Sequence, residues 1–255
     1  MRKKMLIILL IAGLWMPSLA CFATSKTFDW YPKRNKDHTQ PLLEKHLSFL
    51  TQYKSIYVDK QSTPDQPTLY LTFDIGYENG NVEKILNILK EENVPAAFFV
   101  LAHIAHENAH LLKRMQEEGH LVCNHTAKHK DMSKVSKEEF TREIKRMEEL
   151  IKETTAQSIA PYYRPPMGRF NEDNLKWAEE LGYTTVFWSI CYADWDNQNQ
   201  PNPEKAKKIL LDNTHPGAII LLHPTSATNA TILKELIQTW RAQGYQFASL
   251  DHIKI

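Results

Sequence analysis

The 255-residue chain predicts an α/β fold in which about seven parallel strands curl into a closed or partly closed (β/α) barrel. Three observations point there. From Thr68 onward, short runs rich in β-branched and aromatic residues alternate with longer runs whose apolar residues recur at helical spacing, the order that builds a parallel sheet under helices. Asp74, His125, Arg164, Asp194 and His223 fall at or just after the ends of five of the strand-like runs, and a barrel gathers such ends around one mouth. The turn "DIGYENG" matches neither glycine-rich phosphate pattern, which disfavours an open nucleotide-binding sheet.

The first element in chain order is a leader. "MRKK" precedes the apolar run "MLIILLIAGLWM", which is shorter than the roughly 18 residues of a spanning helix. Residues 1–23 therefore read as a secretory signal cut after Ala20 or Ala23, with an uncleaved membrane anchor as the alternative. Cys21 would suit a lipoprotein, but Ser18 stands where an aliphatic residue is usual. The mature chain is expected to be secreted or wall-associated, with no membrane span after cleavage. Residues 24–66 form an extension, aromatic residues interleaved with charge and a helical pattern at Leu42, Leu43, His46, Leu47 and Leu50, expected to pack on the barrel. "QSTPDQPT" closes it as a loop.

The main domain spans 67–255. Its strands are expected in "TLYLTFD", "AAFFVLA", "HLVCNH", "YYRPP", "TTVFWSI", "AIILLH" and "QFASL". Helical runs lie between them, from "NVEKILNILKEEN" to "ATILKELIQTWRAQG", several closed by Gly or Asn as C-caps are. Lysine and arginine number 31 against 30 acids, so no summed field draws this chain to nucleic acid or an anionic membrane. Cys123 and Cys191 are too few for a disulfide framework and read as buried thiols in a monomer.

Each candidate site residue has a bland reading beside the chemical one. His125 and His129 stand four apart after a strand, where two neutral imidazoles can grip a zinc-like metal, or be solvated. Arg164 precedes two prolines, so Met167 offers the first free backbone N–H after the arginine, suited to an oxyanion; a rigid strand exit with a surface ion pair is the alternative. His223 ends an apolar strand, and Asp194, were it the partner, would orient the ring and favour its protonated form. His103, His106 and His110 share a helical face and read mostly as solvated, with His103 near the cleft.

Taken in order, "TFDIGY", "HTAKH", "RPPMG", "DW" and "LLH" resemble the five motifs of the polysaccharide deacetylases, carbohydrate esterase family four, with the NodB homology domain. "DWYPKRNKDHTQP" and "THPGAIILLH" resemble the subgroup that deacetylates N-acetylmuramic acid on the way to muramic delta-lactam in spore cortex. The resemblance implies a distorted (β/α) barrel of NodB-homology type acting on peptidoglycan glycan strands. It casts Asp74 as base, Arg164 as its holder, His223 as acid and Asp194 as support, with His125 and His129 on a divalent metal and Tyr77, Met167 and Trp195 against substrate. The family's usual third metal ligand, an aspartate, is Ile75 here, which puts the metal in doubt. A deacetylase of glucosamine or chitin-like glycans, and a silent glycan-binding relative, are the alternatives.

Overall fold

A computed structural model describes residues 25–31, 33 and 35–254; the leader, its cleavage sites and Cys21 lie outside them. The strands are β1 (Phe28–Asp29), β2 (Ser55–Ile56), β3 (Thr68–Ile75), β4 (Ala96–Val100), β5 (Leu121–Asn124), β6 (Tyr162–Tyr163), β7 (Arg169–Phe170), β8 (Thr184–Val186), β9 (Ala218–Leu222) and β10 (Gln246–Phe247). The helices are α1 (Asn81–Glu91), α2 (Ala102–Glu107), α3 (Ala109–Glu117), α4 (Lys137–Thr155), α5 (Glu172–Glu180), α6 (Pro203–Asp212) and α7 (Ala227–Ala242).

The seven expected strands are β3, β4, β5, β6, β8, β9 and β10, and all pair in parallel. β3 is the centre: it pairs with β4, β9 and β10, while β4, β5, β6 and β8 follow in order. The period-2 alternation of a strand sorts its side chains into two layers. Leu69, Leu71, Phe73 and Ile75 of β3 enter the core beneath α1 and α7, with Ile85, Leu86, Leu233 and Leu236. Tyr70 points the other way, into an inner cluster with Phe99, Phe187 and Leu221. Thr72 and Asp74 share that inner face by the same alternation.

Closure of the barrel comes from contacts too short to show a sequence period. Beyond β8 the chain crosses to β9, where Ile190 bridges Ile220 and the Leu221 amide donates to the Ile190 carbonyl at 2.9 Å. β2, inside the 24–66 extension, pairs with β8, and Val58 bridges Ala218, so part of that extension runs in the barrel wall. Gly217 permits this crossing: its φ is +76°, and a Cβ there would lie 2.1 Å from the Asp59 carbonyl oxygen. The helical pattern around Leu47 is a 3-10 helix, Lys45–Gln52, which buries Leu47 and Leu50 and leaves Leu42 exposed.

Helix starts follow the side chains that cap them. Ser136, Asn171, Asn202 and Ser226 each accept from backbone amides of the first turn of α4, α5, α6 and α7, and Asn171 and Asn174 form a reciprocal capping box. Among the described residues no helix is long and apolar enough to cross a membrane.

Candidate active site

A cleft of about 660 Å³ opens at the carboxyl ends of the strands. Asp74, Tyr77, His125, His129, Met167, Trp195 and His223 line it. Arg164 and Asp194 lie buried beneath, each holding a residue that the cleft exposes.

Arg164 follows β6 and is wholly buried, so its guanidinium fills the barrel interior and forms no surface ion pair. Its Nη1 donates to Asp74 Oδ1 at 2.7 Å, its Nη2 to Thr72 Oγ1 at 2.9 Å, and its Nε to the Val186 carbonyl at 3.2 Å. Its Cζ lies 4.1 Å from the centre of the Phe99 ring. A buried charge survives only when its donors are used and its charge is balanced, and here both conditions hold. Burial alone would raise the Asp74 pKa; the Arg164 charge above all, with smaller contributions from the His125 and His223 imidazoles and the Arg164 hydrogen bond, outweighs it and holds the carboxylate below its usual range.

The turn after β5 places the histidine pair. The Thr126 amide donates to Asn124 Oδ1 at 3.0 Å, and the His129 amide to Thr126 Oγ1 at 3.0 Å, so side-chain caps bend the chain where a helix does not form. The two rings meet edge-on with centres 5.0 Å apart. His125 Nδ1 lies 2.9 Å from the Arg164 carbonyl oxygen, which can only accept, so Nδ1 carries the proton. Its Nε2 is left facing Asp74 Oδ2 at 3.5 Å. Burial lowers the His125 pKa to about 4 against the pull of Asp74, and the ring is neutral at pH 7.

A second cluster sits where β9 ends. His223 Nδ1 is 2.8 Å from Asp194 Oδ1, and the His223 amide donates to Oδ2 at 2.8 Å. Asn229, in the first turn of α7, donates to the same Oδ2 at 2.6 Å and to the His223 carbonyl at 3.0 Å. Tyr192 donates its hydroxyl to Asn229 Oδ1. Burial would lower the His223 pKa, but the hydrogen bond and charge of Asp194, with Asp74 beyond, raise it above the ordinary histidine value. Trp195 stands edge-on to the imidazole, 6.3 Å between ring centres.

Met167 adopts a left-handed conformation, φ 60° and ψ 9°, directly after Pro165 and Pro166. Gly168 follows at φ +65°, and a Cβ there would come within 2.8 Å of the Trp188 ring and 3.3 Å of Trp30 Cβ. The Trp30 amide donates to the Gly168 carbonyl at 2.8 Å, and its indole to the Trp188 carbonyl at 2.8 Å. Thr72, Asn229 and Trp30 are the participants that sequence reading missed. His103 lines the cleft; His106 and His110 are exposed outside its lining.

Comparison with known proteins locates this geometry. The polysaccharide deacetylase family model matches residues 61–186. The Bacillus subtilis peptidoglycan-N-acetylmuramic acid deacetylase PdaA is 36% identical over 253 residues, covering 94% of this chain and 95% of that one. The chain belongs to the polysaccharide deacetylase family. It is a hydrolase acting on an acetamide C–N bond. The solved structure of PdaA, a family 4 carbohydrate esterase, superposes with a TM-score of 0.85 at 37% identity, covering 89% of this chain and 97% of that one. A peptidoglycan-N-acetylglucosamine deacetylase of Bacillus cereus is 34% identical over 71% of this chain and 66% of its own length.

Deacetylases of this family typically use a metal. Ile75 is fully buried in the helix-side core, with its neighbours Leu71 and Phe73, and does not line the cleft. Among the described residues no group of three or more His, Cys, Asp or Glu side chains is arranged to hold a metal ion. Ile75 leaves the usual aspartate-histidine-histidine set one ligand short, with His125, His129 and Asp74 Oδ2 as the donors that face the cleft.

Proposed function

We propose that this deacetylase is an exported, monomeric, cell-wall enzyme that removes the acetyl group from N-acetylmuramic acid in peptidoglycan strands, a step toward muramic delta-lactam. The supporting observation is that one cleft holds two opposed pairs. Arg164 holds Asp74 in its ionised form, and Asp194 favours the protonated form of His223. Amide hydrolysis needs both states at once.

In this reading Asp74 takes a proton from water as its oxygen bonds to the acetyl carbon. The Met167 N–H donates to the resulting oxyanion, from a turn whose preceding prolines have no amide hydrogen. His223 then delivers its Nε2 proton to the nitrogen as the C–N bond breaks, leaving acetate and a free amine. Tyr77 and Trp195 flank the sugar. Support for muramic acid as substrate comes from the near full-length match to PdaA, which includes the extension ahead of the barrel.

The test is acetate release from purified glycan strands, with mass spectrometry to place the free amine. Release from muramic residues is expected. Release from glucosamine alone would move the assignment to the activity named for the Bacillus cereus relative. Ile75 favours a second reading, a silent glycan-binding protein, and binding without any acetate would select it.

A further inference from the structure

The segment "DWYPKRNKDHTQP" has no part in the chemistry proposed above, yet it reaches the cleft. β1 pairs antiparallel with β7, immediately after the Met167 turn. Trp30 is 4% exposed, fixed by its two hydrogen bonds and stacked on Phe187 with ring centres 4.6 Å apart. Farther along, Gln40 Nε2 donates to the carbonyls of Asp59 at 2.8 Å and Pro216 at 3.0 Å, pinning the strap to the opposite end of the barrel. Tyr31 sits on this anchored backbone, 80% exposed, and lines the cleft.

Among the described residues, the large apolar side chains left strongly exposed are Tyr31, Leu42, Tyr77, Met167 and Trp195. All but Leu42 line this cleft, and Leu42 shares a small adjoining hollow with Tyr31. Such clustering marks a surface that something covers. The charged groups of the lining, Asp74 and His223, lie at the reacting centre and no lysine or arginine joins them, so a surface that covers the exposed rings needs no charge of its own. A pyranose ring meets that description: its C–H face packs on an aromatic ring while its hydroxyls stay in water.

We propose that Tyr31 is the platform of a second glycan subsite, which holds the sugar next to the one whose acetamide reacts. The proposal rests on the glycan reading above. A tyrosine on an anchored strap offers a wide contact at low entropic cost, because it has two side-chain torsions and its backbone is already placed.

The test is binding, followed by tryptophan fluorescence, of N-acetylmuramic acid alone and of glycan strands several repeats long. The full chain, Tyr31→Ala and Tyr31→Phe are compared in the Asp74→Asn background, so that turnover does not intervene. Tyr31→Ala should weaken strand binding by roughly three- to tenfold, with a smaller loss for the single sugar, and Tyr31→Phe should bind strands within about twofold of the parent. Equal strand binding by Tyr31→Ala, or an equal loss for both ligands, overturns the subsite. A length-dependent loss in a chain whose parent releases no acetate would keep the subsite and remove the deacetylase reading.

Discussion

Asp74 and Asp194 are both carboxylates at strand ends, both nearly buried and both paired with a base, yet the two sites differ in what remains free. Asp74 gives one oxygen to Arg164 and turns the other toward His125 and the cleft. Asp194 accepts on both oxygens, from the His223 ring and amide and from Asn229. The partner decides the role. Arginine does not release its proton, so Asp74 stays an ionised acceptor with a lone pair open to the cleft. Histidine does release one, so the Asp194 charge serves to keep a proton on His223 until it is delivered.

The largest expected break of this contrast is Asp74→Asn. It keeps the shape and removes the base, so acetate release should fall by about 10²-fold or more; it also leaves the buried Arg164 charge unpaired, so the melting temperature should drop and activity is compared at a temperature where circular dichroism shows both proteins folded. Activity near that of the parent would exclude Asp74 from proton transfer. His223→Ala should lose a similar factor through the leaving-group proton.

Arg164→Met comes next. It strips the counter-charge from Asp74 and leaves Thr72 Oγ1 without that donor, at a cost of about 3–5 kcal/mol in unfolding free energy, as for other broken buried pairs. The Asp74 pKa should rise toward the value burial alone would set, moving the acid limb of the rate profile to higher pH. Denaturant titration and a pH series check the two effects separately; an unmoved acid limb would show that Arg164 does not tune the base.

Asp194→Asn tests the other half. The His223 pKa is raised in the parent, so the acid is protonated up to a higher pH than a free imidazole, and activity is lost as pH climbs through the raised value. Without the carboxylate charge, the alkaline limb should shift to lower pH. A limb that stays in place would show that Asp194 only holds the ring's orientation.

Much of this contrast was readable in the chain. Strand ends announce themselves where a β-branched run stops at a polar residue, and Asp74, Asp194 and His223 each stand at such a point. The pairing of Arg164 with Asp74 is harder, since an arginine before two prolines reads equally well as a surface residue; its burial follows from Phe99, Thr72 and Val186, which come from other strands. Thr72 and Asn229 were not legible at all. A threonine within a strand and an asparagine after a helix cap are ordinary there, and their partners lie 92 and 35 residues away in sequence. β1, β2 and β7 were missed because two residues show no period, whereas β6 and β10, equally short, follow the repeated strand-helix order that marks their places. Ile75 was read as a gap in a metal site; the strand alternation that turns Asp74 inward turns Ile75 into the helix-side core, which is why a hydrocarbon suits that position.

The smallest expected effect is the most discriminating. Asn229 and the His223 amide both donate to Asp194 Oδ2, and each bond stabilises negative charge on the carboxylate. Asn229→Ala removes one of these donors, so more of the Asp194 charge falls to the imidazolium and the His223 pKa should rise further. The alkaline limb of the rate profile should then move upward by less than about one pH unit, opposite in sign to Asp194→Asn. Water entering the space left by the amide would reduce the shift without reversing it. A downward shift in Asn229→Ala would mean that the asparagine acts by holding Asp194 in place, because a displaced carboxylate loses its grip on the ring and behaves as Asp194→Asn does.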